Sequence, residues 1–181
     1  VGSKAIVSRF QRQTRQQSRL HHHGLASGID VGTVGSVPYF VVEYLEGDTI
    51  GARVRSAMTF DVPEGLHVLK ELLEVVGWIH GQDQVVGSLH PEAVVLGDAG
   101  EVWLTGLGFP LPSPRSYPDT HAHELLYLAP EGVAEPEDAG KRGDVFSIGA
   151  VAVYLFTGRA PRPAATSTSE ALAHATQPPS R

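Results

Sequence analysis

The chain contains no cysteine among its 181 residues. Disulfide bonds, thiolate metal sites and cysteine nucleophiles are therefore excluded. No apolar run approaches the roughly 18 residues that a membrane span requires, and the N-terminus lacks the basic and then apolar order of a signal peptide. These absences predict a cytoplasmic protein, or a soluble part of a larger one.

Charge is also sparse, and no block of like charges is present. The 14 basic and 20 acidic residues give a net charge of −6. This balance argues against a nucleic-acid-binding surface. The hydrophobic fraction of 41% and the charged fraction of 19% are typical of a globular protein. The length suits one domain with a short tail.

The first part of the chain predicts a helix followed by two strands. Apolar residues at roughly helical spacing predict the helix, with Ser3 as its N-cap and Gly24 as its stop. Residues 26–35 end in a glycine-bounded turn, and residues 37–47 are rich in β-branched and aromatic residues. They predict antiparallel strands joined around the turn at 32–35.

The second part alternates helices with a short β pair, which indicates an α+β fold. The strongest helix has Pro63 at its start and apolar residues recurring every three or four positions, namely Leu66, Leu69, Leu73, Val76 and Ile79. The helix at 143–158 is apolar nearly all round, as expected of a helix buried on most sides. The predicted elements are helices at 48–58, 63–82, 143–158 and 168–175, and strands at 93–96 and 101–104.

Five motifs in a fixed order resemble those of the protein kinase superfamily, most closely the bacterial serine/threonine (Hanks-type) kinases. They are YFVVEYLEG, WIHGQDQVVGSLHPEAVVL, EVWLTGLGF, YLAPE and KRGDVFSIGAVAVYLFTGRAP. Each motif is weak alone, but their order and separations are specific. The resemblance covers about residues 3–165. It implies a partial small lobe of one helix and two strands at 1–45, a truncated, mainly helical large lobe at 46–165, and a Pro/Ser/Thr-rich tail at 166–181.

The resemblance also shows that three side chains needed for phosphoryl transfer are replaced. Ser88 stands at the position of the catalytic aspartate, and a neutral hydroxyl is a poor base near neutral pH. Ala93 and Gly106 stand at the two magnesium positions and offer no ligand oxygen. His90 replaces a lysine near the transferred phosphate and is charged only at lower pH. Gln13 replaces the glutamate of the regulatory helix.

Other family positions are retained, and for these the resemblance implies structural roles. They are Gly108, Glu131 and Asp144, of which Asp144 is expected to accept backbone hydrogen bonds from the loop at 86–88. His121 and His123, with Asp119 and Glu124 nearby, are interpreted as part of a solvated loop.

Nucleotide binding stays open from the sequence. The first three small-lobe strands, with the glycine-rich loop, are absent from these residues. We therefore expect either a fragment of a longer protein or a domain without a nucleotide roof. Backbone groups of Glu43, Tyr44 and Leu45 at the hinge are compatible with weak, metal-independent ATP binding. Otherwise we predict no cofactor and no metal site, because the adjacent His21, His22 and His23 do not have ligand spacing.

These replacements predict a chain that is not an enzyme. The predicted function is a catalytically inactive pseudokinase that regulates or scaffolds an unidentified protein partner, with the Pro-rich residues 110–118 as a candidate contact. The alternative is an atypical ATP-dependent serine/threonine protein kinase or a nucleotide-binding sensor. The kinase alternative requires an acid from elsewhere, such as Asp98, Asp119 or a partner chain.

Overall fold

The computed structural model describes residues 2–35, 37–56, 58, 60–105, 119–134, 140–165 and 167–176. The predicted α+β arrangement is confirmed in this part of the chain. The helices are α1 (Gly2–Gln17), α2 (Ile50–Arg55), α3 (Val62–Gly81), α4 (Pro130–Ala134), α5 (Gly140–Thr157) and α6 (Thr168–Ala175). The strands are β1 (Gly28–Val34), β2 (Val37–Val42), β3 (Asp48–Thr49), β4 (Val94–Leu96) and β5 (Val102–Leu104). Two 3₁₀ segments span Pro91–Ala93 and Asp119–Tyr127.

The first helix ends earlier than the sequence predicts. It stops at Gln17 rather than near Gly24, because the amide of Leu20 donates to the Gln17 carbonyl and tightens the last turn. The His22 imidazole Nδ1 then accepts the Gly24 amide at 3.1 Å and turns the chain towards β1. At the other end, Ser3 lies inside the helix, which begins at Gly2.

The two predicted strands form an antiparallel hairpin that packs on α1. Val34 pairs with Val37, so the turn is shorter than the predicted four residues and begins at Gly35, which has a φ of +62°. The hairpin face away from α1 remains exposed and apolar. Its large side chains are Val34, Val37, Tyr39 and Val41.

A second sheet carries the strands of the large lobe in the order β3-β4-β5. The pairing of β4 with β5 agrees with the predicted β pair. The strand β3, which sequence analysis missed, has only two residues. A parallel bridge between Leu25 and Leu104 joins the end of β5 to the segment before β1. In that bridge the amide of Ala26 donates to Leu104 O at 2.9 Å, and the amide of Leu104 donates to Gly24 O at 2.8 Å.

The helix α3 begins as predicted, but its buried face differs. The Asp61 side chain caps it by accepting the Glu64 amide at 2.8 Å. Leu66 and Leu73 are 56% and 53% exposed, so they do not belong to the core. This helix is apolar on more than one face, and spacing alone therefore does not select the buried one. The buried side chains are Val68, Leu72, Val75, Val76 and Ile79.

The helix α5 packs against α3. Its composition predicts a helix buried on most sides, and that prediction is wrong. Val145, Val153 and Phe156 are exposed, while Ile148, Val151 and Leu155 face the core. None of the helices in the described ranges is long and apolar enough to cross a membrane.

The 3₁₀ segment Asp119–Tyr127 is anchored to the rest of the large lobe. Arg162 is buried and donates from Nη1 to Leu126 O at 2.7 Å and to Leu128 O at 2.9 Å. The Ser147 hydroxyl of α5 donates to Tyr127 O at 2.8 Å. The helix α6 packs against the same segment, so residues 168–175 contribute to the core.

Candidate functional site

The loop that joins α3 to β4 is held by one buried carboxylate. Asp144 of α5 is 2% exposed and accepts the Val86 amide at Oδ2 and the Gly87 amide at Oδ1, both at 2.8 Å. Gly87 has a φ of +81°, a conformation that favours glycine. These contacts fix the backbone that presents Ser88.

The same carboxylate is also bound to α3. The His80 Nε2 atom lies 2.7 Å from Asp144 Oδ2. Asp144 thus joins α5, the end of α3 and the loop, and satisfies donors that burial removes from water. This arrangement defines the loop shape whether or not the loop takes part in chemistry.

The side chains at the family's base and metal positions offer no acid. Ser88 is a buried hydroxyl, and Ala93 is a buried methyl group. Gly106 and Gly108 lie outside the described residues, as do the Pro-rich residues 110–118.

Magnesium, which the kinase family implies, does not fit these residues. Within the ranges that the structure describes, no group of three or more His, Cys, Asp or Glu side chains is arranged to hold a metal ion. Ala93 contributes no oxygen to such a site, and Gly106 has no side chain. We therefore assign no step of the chemistry to magnesium.

A carboxylate and an imidazole meet beside the Ser88 loop. Glu124 Oε2 lies 3.8 Å from His90 Nε2, and the two side chains are only 15% and 14% exposed. The His123 ring meets the His90 ring edge-on, with centroids 6.5 Å apart. Sequence analysis interpreted Glu124 as part of a solvated loop. The 3₁₀ packing of its segment instead turns it inward, and no spacing rule links residues 34 positions apart.

Glu92, next to this pair, forms a second polar cluster that sequence analysis missed. It accepts the Thr49 hydroxyl at 2.6 Å and forms an ion pair with Arg55. Burial raises the pKa of Glu92, but the hydrogen bonds from Arg55 and Thr49 outweigh it, and the pKa is lowered overall. Gly51 lies against the Glu92 carboxylate so closely that a Cβ atom there would overlap it.

The hinge residues lie at an open hollow of about 360 Å³. Tyr44 is 91% exposed. The Glu43 amide donates to Ser27 O at 2.9 Å, and Glu43 Oε1 accepts the Ser27 amide at 2.6 Å. His23 and Trp103 line the hollow together with Tyr44 and Leu45. The hollow is not lined by the Ser88 loop.

The contacts of His22 hold the local chain in place. It stacks on Trp78 with ring centroids 5.0 Å apart, and its Nδ1 atom is taken by the Gly24 amide. Burial, and then the neighbouring His23, lower the pKa of His22. Glu131 is exposed on α4, and its predicted structural role stays a prediction.

Comparison with known proteins identifies the family. A family model described as "Protein kinase domain" matches residues 3–179. The chain belongs to the protein kinase domain family. The resemblance inferred from the five motifs is therefore confirmed.

The similar proteins are bacterial serine/threonine kinases. The chain is 27% identical over 173 residues to the serine/threonine-protein kinase PrkC of Bacillus subtilis, covering 93% of this chain and 26% of that protein. It is 27% identical over 165 residues to the serine/threonine-protein kinase PknL of Mycobacterium tuberculosis, covering 89% of this chain and 41% of that protein. The chain thus spans well under half of these relatives.

A solved structure has the same fold. The crystal structure of Rad53 residues 1–466 in complex with AMP-PNP matches with a TM-score of 0.74 and 18% identity, over 93% of this chain and 43% of that one. This similarity confirms the kinase-like fold predicted from the sequence.

The comparisons overturn one prediction. The expectation that the chain is not an enzyme is wrong, because the proteins that it matches over most of its length are named serine/threonine-protein kinases. That prediction rested on the replaced side chains alone. The replacements at Ser88, Ala93 and Gly106 remain as the sequence gives them.

Proposed function

We propose that the chain belongs to an atypical ATP-dependent serine/threonine protein kinase, in which Glu124 and His90 replace the family's catalytic aspartate and lysine. The observation that carries this proposal is the contact between Glu124 and His90 beside the Ser88 loop. The family match and the names of the relatives support the reaction class.

Glu124 is the proposed proton acceptor. In this mechanism the oxygen of a substrate serine or threonine bonds to the γ-phosphorus of ATP, ADP leaves, and the hydroxyl proton passes to the Glu124 carboxylate. A carboxylate is suited to this role, whereas the Ser88 hydroxyl is not. His90, when protonated, faces the transferred phosphate as a cation.

The hinge is the proposed adenine contact. Backbone donors and acceptors do not depend on side-chain identity, so the Glu43 carbonyl and the backbone of Leu45 can serve an adenine ring. The Glu43 amide is already used by Ser27. ATP binding without a metal ion is part of the proposal, as is a cytoplasmic location.

Phosphate transfer from ATP to a serine- and threonine-containing protein such as casein tests the proposal. The experiment uses the full gene product that contains these residues, with magnesium or manganese. Glu124→Gln should lower the rate at least about 100-fold, the lower end of what general acid–base catalysis contributes. Glu71→Gln is the matched control, since Glu71 is a partly buried carboxylate on α3 that lies outside the site.

A second variant distinguishes loss of the proton acceptor from misfolding of Glu124→Gln, because a misfolded protein would not regain activity. Ser88→Asp restores a carboxylate at the family position and should rescue transfer in the Glu124→Gln background. Transfer that is unchanged in Glu124→Gln contradicts the assigned role. Absence of transfer above a buffer blank in the unaltered protein contradicts the proposed function.

Thermal unfolding with and without ATP tests the hinge separately. A ligand at about 100 times its dissociation constant adds about 2.7 kcal/mol to stability. We expect a shift with ATP that persists without metal. An unchanged unfolding temperature in saturating ATP would contradict nucleotide binding.

A regulatory protein-binding role is the second candidate, favoured by the exposed apolar face of the hairpin. Val37 and Val41 lie on that face and are 67% and 40% exposed. Large exposed apolar patches commonly mark interaction sites. Val37→Ser with Val41→Ser should weaken binding of a regulated partner protein and leave phosphate transfer unchanged. Retained partner binding in this double variant would count against the candidate.

A further inference from the structure

The ring of His22 lies between the end of α1 and the hairpin, and three neighbours hold it. It stacks on Trp78 of α3 with ring centroids 5.0 Å apart and on His23 with ring centroids 4.2 Å apart. Its Nδ1 atom accepts the Gly24 amide at 3.1 Å. His22 takes no part in the proposed phosphate transfer, so a role for its ring is independent of that proposal.

The contact with the Gly24 amide requires one protonation state of the His22 ring. A nitrogen that accepts a hydrogen bond carries no proton, so the neutral ring has its proton on Nε2. When the ring takes up a second proton, both nitrogens become donors. The Gly24 amide would then face another N–H group, and the hydrogen bond would be lost.

Gly24 connects this ring to the sheet of the large lobe. The Gly24 carbonyl oxygen accepts the Leu104 amide at 2.8 Å, which is one of the two hydrogen bonds of the bridge between the segment before β1 and β5. Gly24 is buried, and a Cβ atom there would lie 3.3 Å from Val75 Cβ. The backbone is therefore closely packed, so a shift away from a protonated ring would strain the bond to Leu104.

The charged and titratable groups around the ring come from its own segment, from α3 and from the hinge side of the hollow. They are His21, His23, Lys70, Glu71, Glu74, Glu43 and Glu46. Lys70 pairs with both α3 carboxylates, at 3.3 Å and 3.0 Å, and weakens their attraction for a proton on the ring. Burial, and then the neighbouring His23, outweigh these carboxylates, and the pKa of His22 is lowered overall.

We propose that His22 is a pH-sensitive contact, whose neutral ring keeps the bridge between Gly24 and β5 closed and whose protonation loosens that bridge. The open form leaves the ring with its ordinary pKa of 6.5, whereas the closed form has a lower one. The closed form is therefore fully favoured above pH 6.5. It loses stability as the pH falls from 6.5 towards the lowered pKa, and below that pKa the loss is complete.

Nuclear magnetic resonance of the full gene product tests the protonation state of His22 in the unaltered protein. Backbone assignments identify the signals of its ring. Titration should give His22 a pKa below 6.5, and the nitrogen-15 shifts should show the neutral ring protonated on Nε2. A pKa of 6.5 or above, or a neutral ring protonated on Nδ1, overturns the proposal.

Amide hydrogen exchange, measured by mass spectrometry, tests the effect on the bridge. In His22→Asn the side-chain oxygen can still accept the Gly24 amide, but the group does not titrate. Intrinsic exchange also depends on pH, so the unaltered protein is compared with His22→Asn at each pH. For residues 24–26 and 102–104, the ratio of the two exchange rates should rise about 2- to 10-fold between about pH 8 and about pH 5, the range for loss of one hydrogen bond. A constant ratio overturns the proposal.

His23→Asn is the matched control, because it removes an imidazole from the next position, where the side chain is 75% exposed. Since His23 lowers the pKa of His22, its removal should move the loosening to higher pH and leave its size unchanged. If His23→Asn instead abolishes the pH dependence, the titrating group is His23 and the proposal is overturned. Thermal unfolding at about pH 8 verifies that each variant is folded, and the titration of the unaltered protein stays decisive if one is not.

Discussion

The ring of His80 lies 2.7 Å from the carboxylate of Asp144, although 64 residues separate them in the chain. The same carboxylate accepts the amides of Val86 and Gly87. One acid therefore connects α3, α5 and the loop that carries Ser88. This contact lies outside the proposed chemistry, yet that chemistry depends on the loop shape that it maintains.

Asp144→Ala should destabilise the protein by about 3 kcal/mol or more. Each buried donor that loses its acceptor costs about 1–3 kcal/mol, and the substitution leaves two amides and His80 without theirs. Urea denaturation measures the change. Asp83→Asn is the control, because Asp83 is exposed, pairs with Lys141 on the surface and has a φ of +55° that asparagine also adopts; it should change stability by less than about 1 kcal/mol. Equal losses in the two variants would contradict this role of Asp144.

Glu92→Gln should reduce stability in a pH-dependent manner. The pKa of Glu92 in the folded protein is below the 4.5 of the free side chain. Its ionised form therefore contributes stability that is present above pH 4.5 and is lost as the pH falls through the folded-state pKa. The difference in unfolding free energy between the unaltered protein and the variant should be largest near neutral pH and shrink in acid. Denaturant titrations at several pH values measure this difference, and a constant gap would contradict it.

Gly51→Ala should destabilise the protein even though Gly51 lies in a helix. A methyl group at this position overlaps the Glu92 carboxylate, which Thr49 and Arg55 hold in place. We expect a loss of about 1–3 kcal/mol, the usual cost of overpacking. Gly77→Ala is the matched control, because Gly77 lies in α3 with open space at its Cβ position; it should stabilise by roughly 0.5–1 kcal/mol.

A double-mutant cycle separates the overlap from other effects of Gly51→Ala. In a Glu92→Ala background the carboxylate is absent, so Gly51→Ala should become neutral or stabilising. Thermal or urea unfolding of the four proteins gives the coupling energy. If Gly51→Ala costs the same in both backgrounds, the overlap with Glu92 is not its cause.

Arg162→Met should loosen the segment Asp119–Tyr127. The substitution keeps the length of the side chain but removes the donor to Leu126 O and Leu128 O. Burial lowers the pKa of the Arg162 guanidinium. The group is nevertheless charged at neutral pH, because the pKa of arginine is far above 7. We expect a loss of about 1–3 kcal/mol and faster amide hydrogen exchange in residues 119–128. Arg159→Met is the control, since Arg159 is exposed; equal exchange in the two variants would contradict the anchoring role.

Local sequence patterns predicted the helices and strands that carry several such signals, for example apolar spacing or a run of β-branched residues. Pro63 and the apolar spacing of α3 gave its position, and the β-branched run of 37–42 gave β2. The two-residue β3 carries no such signal, because it is a strand only through its pairing with β4. The end of α1 was missed because a hydrogen-bonded turn, not Gly24, stops the helix.

The polar contacts of the candidate site were beyond the reach of sequence reasoning. The family positions of Ser88 and Ala93 follow from the motifs. The meeting of Glu124 with His90 depends on how the 3₁₀ segment packs. The bond between Thr49 and Glu92 joins residues 43 positions apart. Neither pair could be predicted from the spacing of residues in the sequence.

The bridge between Leu25 and Leu104 couples the hairpin side of the chain to β5. Two backbone hydrogen bonds attach the hairpin side of the chain to the last strand of the large-lobe sheet. Leu104 precedes Gly106 by two residues in the sequence, so the bridge lies on the strand that leads into the family's metal loop. Moving the hairpin side of the chain away from β5 would therefore break both of these hydrogen bonds.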